Sequence, residues 1–585
     1  MYFLIYAVVA FAITITTLRN AGFSFGSSVG LGIFLGAVFG LIGWIAMPAF
    51  GWNHIENWQM LTGLGLIIFA FAFLAHDSDN DVSLSSASIP LLIGVLVLGP
   101  GYFVLSSGIT RGYDYHALLG TPTESNFSAD ISPVSTKQIR QVDKDLALVL
   151  GSKRIEEDPG LGSRVDLIDM DIQMVNGCFM TKDGNGTDRN ICFENELVWA
   201  GVLEHSGFFK WWGNDTTPGY VLVSAVNPQE IHLVTAIGST ESDMTNLNLR
   251  YFPGGRHAYF GSKLERQLRH HGYVGGITDH SFEIDDTGRP YWVTTTFSNT
   301  IGFSGAEATG VIVTDAQSGD MTEYTIADAP TWVDRIQPEE FVTTQLDDWG
   351  AYFNGWVNAW FTKAGVIQTT PGMSIVYGDD GRSYWYTGMQ SAGSDGGTNS
   401  FVLVNTRTKE VRRYMVAGAN ETSAQSSAAA APGVSEFQDY YATFPIFYNV
   451  GGEATYFTLI KGNGGLVQKY VFVNMEQYET VGVGRTVTEA LQAYQSALVR
   501  GGQAPTVDDI VGATEVAGTV MHTVQIDGTF YVLLQQYDLE FYGRSDVYPE
   551  LKWATTGDKA TIKYQEGTGK SQPILGFDIE SVKLN

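Results

Sequence analysis

Four apolar runs crowd the start of the chain, at residues 2–17, 28–50, 58–75 and 89–107, and almost no charge interrupts them. A helix needs roughly 17 to 25 apolar residues to cross a bilayer core of about 30 Å, and the last three runs have that length. Helices satisfy their own backbone hydrogen bonds in lipid, so the runs predict an N-terminal bundle of four membrane spans over residues 1–110. The first run is short, but no basic segment precedes it and no small-residue cleavage site follows, so it reads as a retained span rather than a secretory signal. Gly32, Gly36 and Gly40 recur every fourth residue in the second run and give that helix a smooth face for close packing. A homo-oligomer could form through this face. A transport path is the weaker reading, because no Asp, Glu, Lys or Arg lies inside any run.

The remainder of the chain holds nearly all the acid. With 62 acidic and 34 basic residues, the net charge of −28 argues against a general nucleic-acid binder, which needs Lys and Arg to displace counterions from phosphate. It suits a cationic partner instead. At 585 residues the chain is long enough for several cores.

A Ser/Thr/Pro-containing linker is expected at 111–133. Next, Ile139, Val142, Leu146 and Val149 or Leu150 at helical spacing predict a helix over 135–150 with Gly151 as its stop. Four hairpins then recur, at 220–234, 310–324, 401–414 and 470–481, and an aromatic strand precedes each of the last three, as in Ser383-Tyr-Trp-Tyr-Thr. Helix-capable runs follow at 338–349, 422–431 and 488–498. A hairpin cannot hide its apolar face alone, so hairpins alternating with covering helices predict α+β modules. Their expected bounds are 134–300, 301–395 and 396–500, followed by a second linker at 501–514. Short strands around the Asp527-Gly528 turn predict a small OB-like β-barrel at 515–585. That segment clusters little positive charge, so no nucleic-acid role is expected of it.

Two hairpins, Val313-Thr-Asp-Ala-Gln-Ser-Gly-Asp-Met and Val404-Asn-Thr-Arg-Thr-Lys-Glu-Val, resemble the V-x-D-A-x-T-G-E-V hairpin of PepSY-type domains, small α+β modules of peptidase propeptides and envelope proteins. Asn405 and Lys409 stand where that pattern has Asp and Gly. The order of spans, such modules and a terminal β-domain also resembles uncharacterised bacterial and phage membrane-anchored proteins. The resemblance implies an envelope location and protein binding or protease inhibition, and it carries no catalytic residue.

Cys178 and Cys192 flank a turn-rich segment at 182–190. If residues 174–180 and 190–194 pair as a hairpin, the sulfurs face one another, which suits a disulfide in an oxidising compartment; two buried thiols are the alternative. With the acidic composition, the possible disulfide tips the expectation toward an extracytoplasmic C-terminal region of an integral membrane protein.

One basic island stands out: Arg250, Arg256 and His257, then residues 262–271 with Lys263, Arg266, Arg269 and His270. On a helix capped by Ser262, Lys263, Arg266 and His270 would share a face. Such a face is either a solvated surface or a receptor for an anionic group, a phospholipid head or an acidic neighbour. The nearby histidines lack the i, i+4 spacing of a helical metal pair, so neither metal nor cofactor is expected. Asp285-Asp286 and Asp379-Asp380 both precede an aromatic strand and read as turns. No P-loop, nucleophile elbow or zinc motif is present. The expected function is a membrane-anchored envelope scaffold or protein-binding protein. A transport or channel accessory, and an envelope hydrolase whose site spacing does not reveal, are the alternatives.

Overall fold

The structure, a computed structural model, describes residues 2–20, 22–74, 99–132, 134, 138–158, 160–182, 188–254, 258–378, 380–393, 397–501, 514–526, 528–545, 548–564 and 570–582. Three long helices open it: α1 (Tyr2–Asn20), α2 (Phe25–Ala46) and α3 (Ile55–Leu74). Among the described residues, α2 alone is long and apolar enough to cross a membrane, with a mean hydropathy of 2.2 in its most apolar window; the apolar parts of α1 and α3 are shorter. The fourth apolar run lies mostly outside the described residues, which resume with a helix at Gly99–Leu105. The glycine face of α2 is covered by α1 of the same chain. A Cβ at Gly32 would stand 2.9 Å from Ile15, and one at Gly36 would stand 3.0 Å from the Ala7 carbonyl oxygen. Gly40 is buried too.

Four sheets of the remaining chain each contain a run of antiparallel strands that neighbour one another in the order of the sequence. The first runs through Asp171–Lys182, Asp188–His205, Tyr220–Ser224 and Ile231–Val234, the second through Gly276–Ile284, Pro290–Ile301, Ser304–Asp315 and Met321–Thr325. In the third, Ser374–Tyr377 leads to Ser383–Ser391, Ser400–Asn405 and Val411–Tyr414; in the fourth, Ile446–Val450 leads to Glu453–Lys461, Val467–Asn474 and Val481–Gly484. The four hairpins and three aromatic strands of the sequence are the later strands of these meanders. The expected bound at 300/301 falls within the strand Pro290–Ile301, which pairs with Ser304–Asp315, and the bound at 395/396 lies outside the described residues.

One side-chain device closes the last hairpin of every meander. Asp315 Oδ1 accepts hydrogen bonds from the Gln317 and Ser318 amides, Asn405 Oδ1 from Arg407 and Thr408, and Asn474 Oδ1 from Glu476 and Gln477. Ser224 Oγ accepts from Val226 and Asn227 in the first. A short polar side chain at this position replaces backbone partners that a turn leaves open, so Asp, Asn and Ser are interchangeable there.

Helices cover the meanders at Glu339–Tyr352, Glu421–Ala430 and Val487–Gly501. The helix expected at 135–150 runs instead over Lys144–Glu156, because Asp143 caps it by accepting from the Leu146 amide and Ile139 and Val142 lie in the chain before it. Gly151 does not stop this helix. It lets the helix settle onto the first sheet, where a Cβ would meet Leu167 at 2.5 Å. Nor are residues 111–133 a linker: Gly108–Leu118 is helical, and Thr123–Ser125 joins the third sheet as a parallel edge strand beside Val411–Tyr414. Three residues are too few for an alternation to show in the sequence. The linker at 501–514 falls almost wholly outside the described residues.

Neighbouring units share cores. Trp199 and Val221 of the first sheet, Leu346 of a covering helix and Trp385 of the third belong to one apolar cluster, while Phe401 and Tyr456 join the third sheet to the fourth. The C-terminal segment is one curled six-stranded sheet bent about the long strand Thr514–Ile526; its edge strands, Ser571–Pro573 and Gly576–Ile579, do not pair with each other among the described residues. Cys178 and Cys192 face each other in register and are joined as a disulfide.

Gly482 and Gly484 let the helix at Val487–Gly501 lie directly on the fourth sheet: a Cβ at Gly482 would stand 2.2 Å from the Tyr494 amide nitrogen. Backbone cannot give way as a side chain does, so Gly482→Ala should lower stability by about 1–3 kcal/mol in urea unfolding. Gly464→Ala, where a Cβ meets nothing within 4 Å, should stay within about 0.5 kcal/mol.

Candidate functional site

Where the first, third and fourth meanders meet, they leave a cleft of about 1090 Å³. Its floor holds Arg140, which is 9% exposed. The guanidinium donates to the Ile375 carbonyl at 3.3 Å and the Ser374 hydroxyl at 3.2 Å, and it stands 5.9 Å from the Trp199 ring. Its Nε has no hydrogen-bond partner, and among the described residues no carboxylate pairs with it. A buried cation whose hydrogen-bond partners are all neutral is costly; burial pulls its pKa below the usual arginine value, and the charge of Asp143, which itself bonds Lys461, offsets this only in part. Tyr448 lines the cleft beside it, its hydroxyl accepting from the Arg140 amide.

The rim is largely acidic. Glu194, Glu196 and Glu230 come from the first sheet and its loops, and Asp380 from the third. Burial raises the Glu196 pKa, the Glu230 charge adds to the rise, and Ser224 donates to its Oε1 at 2.8 Å. Asp380 accepts from the Tyr384 hydroxyl at 2.8 Å, and Arg412 stands over the same ring at 5.8 Å. The arrangement can receive an anionic group at its floor and cationic groups at its rim.

Behind the cleft, two walls end on buried acid. Asp334 Oδ2 accepts from the Met174 amide and the Tyr377 hydroxyl, and both residues line the cleft. Glu283 accepts from the Asp334 amide at 2.9 Å and from the Ser281 hydroxyl at 2.7 Å. Arg335 binds Asp171 at 3.0 Å and Asp279 at 3.3 Å, tying the first two meanders together. Burial, with the Asp334 charge second, pushes the Glu283 carboxyl up to about 8. Burial raises Asp334 to about 6.

The basic island does not form an open anion-binding face. Ser262 is not the helix cap, since the helix is Leu264–His270 with Lys263 at the N-cap position; the Ser262 hydroxyl instead accepts from Trp211 Nε1 at 3.0 Å. Arg266 and Arg269 are buried. Arg266 donates to the Phe260 and Trp44 carbonyls and lies 3.9 Å over the Trp44 ring, while Arg269 donates to the Met47, Tyr273 and Gly275 carbonyls. Trp44 and Met47 belong to the C-terminal end of α2, whose last carbonyls lack helical partners and carry the negative end of the helix dipole. These guanidiniums are therefore spent on holding the apolar helix to the second meander. His270 is exposed at the end of its helix, Lys263 is half-buried, and Arg250 stands apart with Asp215 at 3.4 Å. Arg256 and His257 lie outside the described residues. The Asp285 turn is confirmed: its Oδ1 accepts from the Thr287 and Arg289 amides. Asp379 lies outside the described residues.

Arg140 escaped the sequence reading because it sits inside a predicted amphipathic helix, where one charge looks solvated. Asp143, a side chain suited to capping a helix that begins after it, was the available signal.

No protein-family model and no curated protein matches the chain. Among solved structures, a crystal structure of an ACO/RPE65 chimera is similar at 10% identity and a TM-score of 0.12, covering 51% of this chain and 51% of its own. This chain thus spans about half the length of that one, and so slight a likeness carries no argument.

The raised carboxyls set a pH dependence. Both bind protons more tightly in the folded chain than at their unfolded values of 4.5 and 3.8. Their contribution is full below about pH 4 and lost as pH rises through about 6 and then about 8. The urea midpoint should fall between those limits, and Glu283→Gln should flatten the fall.

Proposed function

We propose that this protein is a membrane-anchored binding scaffold of PepSY-like modules, displayed on the extracytoplasmic side, whose ligand site is the cleft over Arg140. The modules are the four meanders with their covering helices. Each carries the same side-chain turn device, and their hairpin motif resembles that of PepSY-type domains. Anchoring rests on α2, which is long and apolar enough to cross a membrane, and on the two arginines that fasten its end to the modules. The disulfide fits an oxidising compartment.

The observation that carries the binding role is Arg140, a buried guanidinium in the floor of an open cleft whose hydrogen-bond partners are all neutral. A ligand carboxylate there would supply the missing counter-charge, and the acidic rim would hold basic side chains around it. The ligand is accordingly a protein segment with a free carboxylate and nearby Lys or Arg. The transport reading loses its motive, since the glycine face that suggested it is packed against α1.

Short basic peptides with a free C-terminal carboxylate should bind the detergent-solubilised chain about tenfold or more tightly than the same peptides amidated, as a charge-assisted hydrogen bond of about 1.5–3 kcal/mol requires. Arg140→Gln should abolish the difference in a fluorescence titration while leaving the melting temperature close to wild type. Equal affinities in the wild-type chain would refute the role given to Arg140. Alkaline carbonate washing, which strips peripheral proteins, should leave the chain in the membrane pellet.

A further inference from the structure

Two short segments of the modules expose large aromatic side chains that the core does not use. In the helix Phe208–Gly213, Phe209 is 86% and Trp212 71% exposed; in the segment around Asn358–Thr362, Trp360 is 63% and Phe361 73% exposed. At ~200 Å² per ring each segment leaves on the order of 300 Å² of aromatic surface in the open, a size at which the patches of soluble monomers are often functional.

Both segments are fastened to the ends of the apolar helices. Trp211 packs against Phe260, with ring centroids 5.8 Å apart, and Arg266 donates to the Phe260 carbonyl and to that of Trp44 near the end of α2. On the other side, Tyr352 and Trp356 lie against Gly108 and Gly112, and Tyr115 donates to the Ser106 carbonyl just past the helix Gly99–Leu105. Tyr102 of that helix meets Phe303 at 4.6 Å, and Phe303 meets Trp58 near the start of α3 at 5.9 Å. The start of α3 is held against the segment that leaves α2, where Asn57 donates to the Ala49 and Gly51 carbonyls, so the end of α2 and the start of α3 lie near one level. The two aromatic segments therefore flank the place where apolar helix gives way to polar module.

Their composition matches that place. No acidic residue lies between Glu204 and Asp215 or between Asp348 and Asp379, in a chain with 62 of them, and each stretch holds one lysine, Lys210 and Lys363, both exposed. Trp and Phe settle in the headgroup region of a bilayer, and lysine reaches its phosphates from there.

We propose that Phe208–Gly213 and Asn358–Thr362 are interfacial anchors that dip into the headgroup layer on either side of the membrane helices, so that the modules lie on the bilayer rather than swing above it. The partner is a phospholipid surface. This rests on the membrane reading of α2.

The full chain would be placed in phospholipid nanodiscs containing a lipid with a photoactivatable group near its glycerol backbone, irradiated, and mapped by peptide mass spectrometry. Adducts are expected on α2 peptides and on both aromatic segments. They should fall at least fivefold on the first segment in Phe209→Ser/Trp212→Ser while persisting on α2 and on the second. Adducts on α2 with neither segment labelled would overturn the anchors and spare the membrane reading, whether the segments face water or a second copy of the chain. No adducts on α2 would overturn both.

Discussion

Two arginines decide where the membrane-like part of this chain stops and the folded modules begin. A helix ends with carbonyls that have no partner, and here the last of them in α2 meet Arg266 and Arg269. Guanidinium suits the task because it offers five donors in a rigid fork and stays charged when buried. A cation at a helix C-terminus contributes about 0.3–1 kcal/mol, and up to ~2 kcal/mol when partly buried. Two further contacts secure the junction: the Phe50 amide donates to the Val274 carbonyl, and Asn53 and Asn299 each donate to the other's backbone. Without the arginines the Trp44 and Met47 carbonyls would lose these donors.

The same economy of local devices builds the modules. Each last hairpin is closed by one short polar side chain, and small residues sit where a helix touches a strand, as Gly151, Gly482, Gly484, Ala424 and Ala428 do. Because neighbouring sheets share apolar clusters, their loops and inner strands are brought around a common cleft. Arg140 reaches that cleft from a segment before the first meander and bonds to the third. A guanidinium is tolerable there because the Trp199 ring and two oxygens partly replace water, and an arriving anion would complete its shell.

The apolar runs, the hairpins with their aromatic strands, and three covering helices were legible because each rests on periodicity or on turn chemistry within some twenty residues. The cysteine pairing was half legible. The spacing around 182–190 allowed a hairpin, and the register that sets Cys178 opposite Cys192 depends on a β-bulge between Val175 and Gly177. The strands that open the third and fourth meanders, Ser374–Tyr377 and Ile446–Val450, are short and give little alternation to read.

By itself the sequence determined the apolar start, the acidic remainder, and an antiparallel α+β architecture, all of which follow from local pattern and composition. Only the tertiary structure decided what the charges and rings are for. Arg266 and Arg269 look like a solvated basic face until the end of α2 is placed against them, and Arg140 looks like a surface charge until three sheets enclose it. Phe209 and Trp360 look like core residues until the core is seen to form without them. The physical reason is common to all: a charge or a ring costs or stabilises according to what surrounds it, and those surroundings are set by segments distant in the chain, more than two hundred residues away for each of the three arginines.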